Sequence, residues 1–239
     1  MFGRCLYARL AVVGVWAGDA PRSRGEKGKQ AMSVSHFVKQ ELARVKEENE
    51  ALQAEIGFLR NYVDAAQAMM EAIDGLDPRG DLKQALEMIV YNVMAAVRAE
   101  SGMLAVLDEE SGDLVFVVTR GEAAEGLAGR RIPVGKGIAG WVAKNARPVL
   151  ANNARVDDRF YAGLDQSMQT LPGSILAAPL TGARRVLGVL EVVDKADGQM
   201  FNADDQSLVA LLCRLAGEFL YLVIQHEEKA ANAQPAGVS

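Results

Sequence analysis

The chain contains few of the residues that build metal centres and nucleophilic active sites. Among 239 residues there are two histidines, His36 and His226, and two cysteines, Cys5 and Cys213. The members of each pair lie far apart in the sequence, so neither pair has the spacing of a metal-binding or redox motif. This scarcity argues against most zinc, haem and Ser-His or Cys-His chemistry. We therefore expect no metal, no cofactor and no enzymatic activity.

An excess of positive charge is also lacking. The formal net charge is -5, and lysine and arginine are scattered rather than gathered into a stripe. The sequence thus offers no footprint for nucleic acid. The apolar run at 10–17 is too short to cross a bilayer, so no membrane partner is predicted and a cytoplasmic location is expected. Residues 1–31 are predicted to be a disordered extension, or sequence upstream of a true start at Met32.

A regular apolar repeat occupies the segment at 33–76, which is predicted to be a coiled-coil dimerisation helix. Apolar residues and one asparagine alternate at spacings of four and three without a slip, the pattern of a left-handed coiled-coil seam. The seam residues are Val38, Leu42, Val45, Asn49, Leu52, Ile56, Leu59, Val63, Ala66, Met70 and Ile73.

The residue types within the seam favour two parallel helices. Ile56 and Val63 are β-branched at a positions, and Leu52 and Leu59 stand at d positions, which is the dimer preference. Asn49 lies alone at an a position, where two copies can hydrogen-bond only in register. We therefore predict a parallel homodimer. The alternative is a lone helix packed on its own domain.

The segment at 77–228 is predicted to be one α+β domain, followed by a disordered tail at 229–239. A helical period at 82–99 precedes short strand-like runs joined by turns, and a last helix begins near Ala203 with Asn202 as its cap. Strands joined by hairpins, with helices at both ends, predict a central antiparallel sheet with flanking helices.

Several stretches of this domain resemble the GAF domain family. They are Arg131-Ile-Pro-Val-Gly-Lys-Gly-Ile-Ala-Gly-Trp-Val-Ala143, Asp157-Asp-Arg-Phe160, Ser174-Ile-Leu-Ala-Ala-Pro-Leu180 and Leu187-Gly-Val-Leu-Glu-Val192, followed by Phe201 and Asp205. The resemblance covers about residues 69–225. It implies a sensor fold with a small-molecule pocket on the side of the sheet opposite a helical layer that carries the dimer interface.

The predicted pocket is lined by the strand at 175–179, the short helix after Gly137 and the long connection at 152–173. Loops of this length in compact domains commonly bind ligands. An alternative is that the polar residues of the connection hydrogen-bond the loop to itself. The ligand-binding candidates are Asn152, Asp157, Arg159, Ser174, Ile138 and Ala177.

Two further motifs qualify this reading. Gly135-x-Gly137-x-x-Gly140 matches a dinucleotide-binding fingerprint, but the strand before it is short and polar and the helix after it is brief, so a tight turn is favoured.

GAF domains that bind cyclic nucleotides carry an Asn, Lys, Phe, Asp, Glu set. Here the matching residues are Asp194, Lys195, Phe201, Asp205 and Gln206, with the first and last changed. A Lys195–Asp205 salt bridge would make this set a structural brace as readily as a ligand device.

The sequence therefore predicts a non-catalytic sensory protein that binds a small molecule, dimerises with itself and regulates an unidentified output protein. Cyclic nucleotide binding remains open. The alternative is a dimerisation or docking module with a vestigial pocket, which the small apolar residues at 177 and 178 keep open. A thiol enzyme of the sulfoxide reductase kind is disfavoured, because neither cysteine falls in the pocket segments.

Overall fold

A computed structural model of the chain describes residues 24–74, 82–159 and 172–233, with side chains from 35 to 226 within those ranges. It divides into two compact units, 1–56 and 57–239. The start of the predicted α+β domain, at 77–81, and most of the polar connection, at 160–171, lie outside the described residues.

Helix α1 spans Arg24–Asp74. The apolar seam side chains between 38 and 56 are 48–67% exposed in the single chain. Ion pairs such as Arg44–Glu48 (3.2 Å) line the outside of the helix. The helix begins within the segment predicted to be disordered, because Pro21 is the last proline before the seam and Lys27, Lys29 and Gln30 favour helix.

The globular unit contains a six-stranded antiparallel sheet, which confirms the predicted fold class. The strands follow the order β3-β2-β1-β6-β5-β4. Their bounds are β1 Ala99–Leu107, β2 Asp113–Arg120, β3 Arg131–Pro133, β4 Val149–Ala151, β5 Ile175–Gly182 and β6 Arg185–Lys195. All five strand pairs are antiparallel, so no Rossmann crossover is present among them.

Three further α-helices of this unit fall within the described residues: α2 Leu82–Val97, α3 Gly137–Asn145 and α4 Ala203–Ala233. One side of the sheet, which we call the α4 face, packs residues such as Leu104 and Leu190 against α2 and α4. The other side, the α3 face, packs Met103, Ala177 and Val189 with residues of α3. Strand alternation thus divides the core into two layers.

The glycines of the fingerprint build a turn into α3. Gly135 and Gly137 have φ values of 90° and 68°, a region that favours glycine. A Cβ on Gly140 would lie 2.7 Å from the carbonyl oxygen of Pro133, so the helix can approach β3 only without a side chain there. These glycines serve local packing.

Helix α4 begins as the sequence predicts and ends later. The side-chain oxygen of Asn202 accepts from the backbone N–H of Asp204 (2.8 Å) and Asp205 (2.9 Å), a normal helix cap. The helix runs to Ala233, into the predicted tail, because 227–233 is rich in glutamate, lysine and alanine. Residues 203–226 are apolar and long enough to cross a membrane, but 44% of the apolar window is buried inside the domain. That burial is what a core helix requires.

The last turns of α1 carry two apolar faces. Tyr62, Ala65 and Met69 pack on the α4 face of the domain, and Met69 is fully buried. Leu59 and Val63 remain 54% exposed on another side of the helix. Ile73, predicted as the last seam residue, packs against the domain core instead. The seam therefore runs beside a face that the domain has already covered.

Candidate functional site

The polar ligand candidate at the end of β4, Asn152, is hydrogen-bonded to another segment of the chain. The Nδ2 amide of Asn152 donates to the carbonyl oxygen of Phe201 (3.0 Å), which joins the end of β4 to the segment before α4. Its Oδ1 atom is buried and has no hydrogen-bond partner among the residues that the structure describes. Asn152 therefore holds two segments together and leaves one acceptor unused.

Asp157 and Arg159 form a closed pair at the start of the long connection. Two guanidinium nitrogens of Arg159 donate to the carboxylate of Asp157 at 2.8 Å and 2.7 Å. The guanidinium also lies over the ring of Trp141 on α3, 5.2 Å from its centre. The Arg159 side-chain hydrogen bonds lower the pKa of Asp157. Both charges are thus already matched.

Ser174 is likewise committed, and the two apolar candidates lie in the core. The backbone N–H of Ser174 (2.6 Å) and its hydroxyl (3.1 Å) both donate to Oδ1 of Asp194. Ile138 and Ala177 are buried in the core of the α3 face. The two apolar candidates are thus core residues of the α3 face, whereas each polar candidate is hydrogen-bonded to another residue of the chain.

The residues of the five-member set join β6 to α4. The ammonium of Lys195 donates to both oxygens of Asp205 at 3.1 Å and 2.8 Å, and both side chains are largely buried. The same ammonium lies 5.9 Å from the centre of the Phe201 ring. Asp194 has φ 47° and turns its carboxylate back to the start of β5. This geometry is that of a brace between the last strand and the last helix.

The most unusual group of the domain is Glu191, which the sequence reasoning did not select. It is 7% exposed, and it lies on β6 between Val189 and Val193, which both belong to the α3 face. Its cross-strand neighbours Met103 and Ala177 belong to that face as well. The sequence did contain a sign of this burial: Glu191 is the carboxylate of an otherwise apolar stretch. It lies two positions from both Val189 and Val193, so its side chain points to the same face of the sheet as theirs.

Within the part of the chain that the structure describes, no cationic side chain forms an ion pair with Glu191. Among the residues that the structure describes, none donates a hydrogen bond to its carboxylate. Burial raises the pKa of Glu191 to about 7. A buried carboxylate without a partner is costly, so such groups mark sites where a ligand supplies the missing donors.

The remaining cysteine of the described residues lies on the opposite side of the sheet. Cys213 is fully buried among the α4-face residues. Burial raises the pKa of its thiol far above the usual range. A buried, protonated thiol is a poor nucleophile.

The fold and the site define a domain of one class, and comparison with known proteins identifies it. The family model described as a GAF domain matches residues 80–220. The chain belongs to the GAF domain family, whose members are typical of sensory and signalling proteins.

Solved GAF domains share this fold. The GAF domain from a phosphoenolpyruvate-protein phosphotransferase of Coxiella burnetii superposes with a TM-score of 0.61 at 17% identity, covering 72% of this chain and 98% of that one. The free methionine-R-sulfoxide reductase of Neisseria meningitidis superposes with a TM-score of 0.55 at 20% identity, covering 68% of this chain and 89% of that one. At these identities the likeness shows the fold alone.

A curated relative adds a sequence match. A protein named probable 3',5'-cyclic phosphodiesterase pde-5, from Caenorhabditis elegans, is 28% identical over 146 residues, covering 55% of this chain. The match spans 20% of that relative's length.

Proposed function

We propose that this protein is a non-catalytic sensor that binds a small molecule against the α3 face and dimerises through α1 to regulate a partner protein in the cytoplasm. The observation that carries the proposal is Glu191, a buried carboxylate whose hydrogen-bonding capacity is unused within the described residues. A ligand that brings N–H donors to this carboxylate would remove the cost of burying it.

The chemistry of Glu191 favours a ligand with two adjacent N–H donors. A carboxylate accepts two parallel hydrogen bonds through its two oxygens. A guanine base offers such a pair, N1–H and the 2-amino group, whereas adenine offers only its 6-amino group. The relative named as a 3',5'-cyclic phosphodiesterase supports a cyclic nucleotide. We therefore propose cyclic GMP as the first ligand to test.

A route from the sheet to the dimer helix supports regulation. The Lys195–Asp205 pair joins the end of β6 to the first turn of α4. Two residues later on α4, the carbonyl oxygen of Ser207 accepts from the hydroxyl of Tyr62 on α1 (2.8 Å). A ligand that shifts β6 would shift α4 and, through it, the last turns of the dimerisation helix.

Isothermal titration of cyclic GMP and cyclic AMP into the full-length protein tests the binding claim. Wild type should bind cyclic GMP more tightly than cyclic AMP, and Glu191→Gln should weaken cyclic GMP binding about tenfold or more, because an amide accepts only through one oxygen. Glu125→Gln makes the same chemical change at an exposed position and should bind as wild type does. Equal cyclic GMP affinity in both variants would remove Glu191 from the site.

A second candidate function rests on a different observation. The polar ligand candidates Asn152, Arg159 and Ser174 all bind other parts of the chain. A domain whose polar loop groups are satisfied internally suits a dimerisation or docking module with a vestigial pocket. Failure of both cyclic nucleotides and of a broad metabolite panel to raise the thermal midpoint would favour this second function.

A further inference from the structure

The outer surface of one layer of the domain carries an excess of positive charge. The segment at 126–156 contains six lysine or arginine residues, whereas all 31 aspartate and glutamate residues of the chain lie elsewhere. The six residues, which we call the basic face, are all exposed: Arg130, Arg131, Lys136, Lys144, Arg147 and Arg155. This excess contrasts with the formal net charge of -5 for the whole chain.

The fold brings these residues to one side of the domain although they are spaced along the sequence. The segment contains β3 and β4, which are the two edge strands of the sheet, and α3 lies between them in the chain. Helix α3 packs against β3 and across β5 and β6. The segment therefore covers the α3 face from one edge of the sheet to the other, and its exposed side chains form the outer surface there.

Helix α3 has an apolar inner side and a basic outer side. Ile138 and Val142 are buried in the core of the α3 face. Lys136 directly precedes the helix, and Lys144 lies in its last turn. The Cδ atom of Lys144 lies 3.3 Å from the position of a Cβ on Gly135, so this side chain extends back over the turn beside Lys136. The two lysines thus belong to one surface of the helix.

Most charges of the basic face have no opposite charge beside them. Arg131 pairs with Asp108 at 2.7 Å, and Arg155 has an interaction of its own. Among the residues that the structure describes, no carboxylate forms an ion pair with the other four: Arg130, Lys136, Lys144 and Arg147. Like charges gathered on one surface create a field that attracts an acidic partner.

The surroundings of the basic face favour a partner of limited extent. The acidic turn at 108–110 reaches the β3 edge, where its first residue pairs with Arg131. Two further aspartates follow β4 at 157–158. Charges act over a screening length of about 8 Å at physiological salt. A broad anionic surface, such as a membrane, would also meet these bordering carboxylates, whereas a short acidic segment of a protein can lie between them.

We propose that the basic face is a docking surface for a short acidic segment of a partner protein. The carboxylates of that segment pair with the exposed lysine and arginine side chains. Because such pairs lie in solvent, the complex is sensitive to salt. Helix α3 lies between the docked segment and the core that contains the neighbours of Glu191. Control of this partner by a bound ligand rests on the proposed function, whereas docking itself does not.

Fluorescence anisotropy with a labelled hexaglutamate peptide and the full-length protein tests the docking surface. Wild type should bind the peptide saturably at low salt and lose affinity as sodium chloride is added. Lys136→Glu combined with Lys144→Glu should weaken binding about tenfold or more, because two attractions become repulsions. Arg184→Glu combined with Arg214→Glu makes the same change in net charge at exposed positions outside the basic face, and should bind as wild type does. Equal weakening in both double variants would overturn the proposal.

Two further measurements separate this proposal from its alternatives. Vesicles of phosphatidylserine and phosphatidylcholine should not bind the protein measurably. Vesicle binding that is lost in Lys136→Glu combined with Lys144→Glu would assign the basic face to a membrane and overturn the proposal. The peptide titration contains no cyclic GMP, so peptide binding by a protein that does not bind cyclic GMP would contradict the proposed function alone. Binding of cyclic GMP without saturable peptide binding would contradict docking alone.

Discussion

Glu191 gives the domain a stability that depends on pH. Its pKa rises from 4.5 to about 7 on folding, so the folded state binds more protons than the unfolded state between these values. The free energy of unfolding that this group contributes therefore falls as pH rises through that window, by up to about 3 kcal/mol, because a pKa difference of one corresponds to about 1.36 kcal/mol. Glu191→Gln removes the effect, so its stability relative to wild type should rise from pH 4.5 to 7.

Urea unfolding of ligand-free protein across this pH range measures the difference. The matched change at exposed Glu125 should give a difference from wild type that does not vary with pH. If the gap between Glu191→Gln and wild type were also constant, Glu191 would have to be charged or partnered in the folded state. Such a result would remove the main support for the α3-face site.

At the scale of single residues, the sequence identified polar residues that form specific contacts, but it did not identify the partners in most of those contacts. The Lys195–Asp205 contact was expected as one of two possibilities, and the structure contains that ion pair. Asn152, Arg159 and Ser174 were selected because polar loop residues bind ligands, yet each forms a hydrogen bond within the chain. The partner of Arg159 is only two positions away, but the other two partners are set by the tertiary fold: Phe201 lies 49 positions from Asn152, and Asp194 lies 20 positions from Ser174.

At the scale of elements, the first helix makes the clearest prediction. In the single chain, Oδ1 of Asn49 accepts from Nε2 of Gln53 (2.9 Å), so the amide is only partly satisfied along its own helix. Across a parallel dimer the two Asn49 amides can pair, which selects register and oligomer size. Asn49→Val should stabilise the assembly by about 2 kcal/mol through added apolar burial, while allowing larger oligomers to form.

Sedimentation velocity and thermal unfolding of this variant check both effects. Asn61→Val makes the same change at an exposed position outside the seam and should leave oligomer size unchanged. A wild-type protein that stays monomeric at micromolar concentration would contradict the dimer. The exposed apolar face that carries Leu59 and Val63 would then need another explanation.

Strands and helices followed from local periodicity with few errors. Turn residues between strand-like runs predicted an antiparallel sheet, and Asn202 marked the start of α4. The ends of α1 and α4 were less well predicted, because lysine, glutamate and alanine suit both helix and disordered tails. Ile73 was assigned to the seam on spacing alone, but the domain core covers it. The 3.5-residue spacing does not determine whether the last residue of the repeat packs against a second helix or against the domain core.

At the scale of the whole molecule, the two units should respond differently to dilution. The seam side chains at 38–56 are exposed in the single chain, so that part of α1 has little beyond its own hydrogen bonds to hold it. A helix of this kind is marginal in water unless a partner packs on it. Hydrogen exchange at 38–56 should therefore accelerate as the protein is diluted, whereas exchange in β1 and β6 should not change.

A seam variant supplies the reference state for that experiment. Leu52→Asp should exchange quickly at 38–56 at every concentration, and Leu222→Asp, an exposed position on α4 outside the seam, should behave as wild type does. Slow exchange at 38–56 that persists on dilution would mean that this segment is held by something other than a second copy.

The sequence by itself determined the class of the molecule: a long helix with a regular apolar repeat interrupted by one asparagine, then an antiparallel sheet between helices, with the motifs of a GAF domain. These are periodic or local features, and periodicity is written along the chain. Only the tertiary structure decided which polar groups are left without partners. The burial of Glu191, and the burial of the Asn152 Oδ1 atom without a described partner, both depend on the residues packed around them. Burial and hydrogen-bond satisfaction depend on residues brought together from distant positions, so no local pattern records them.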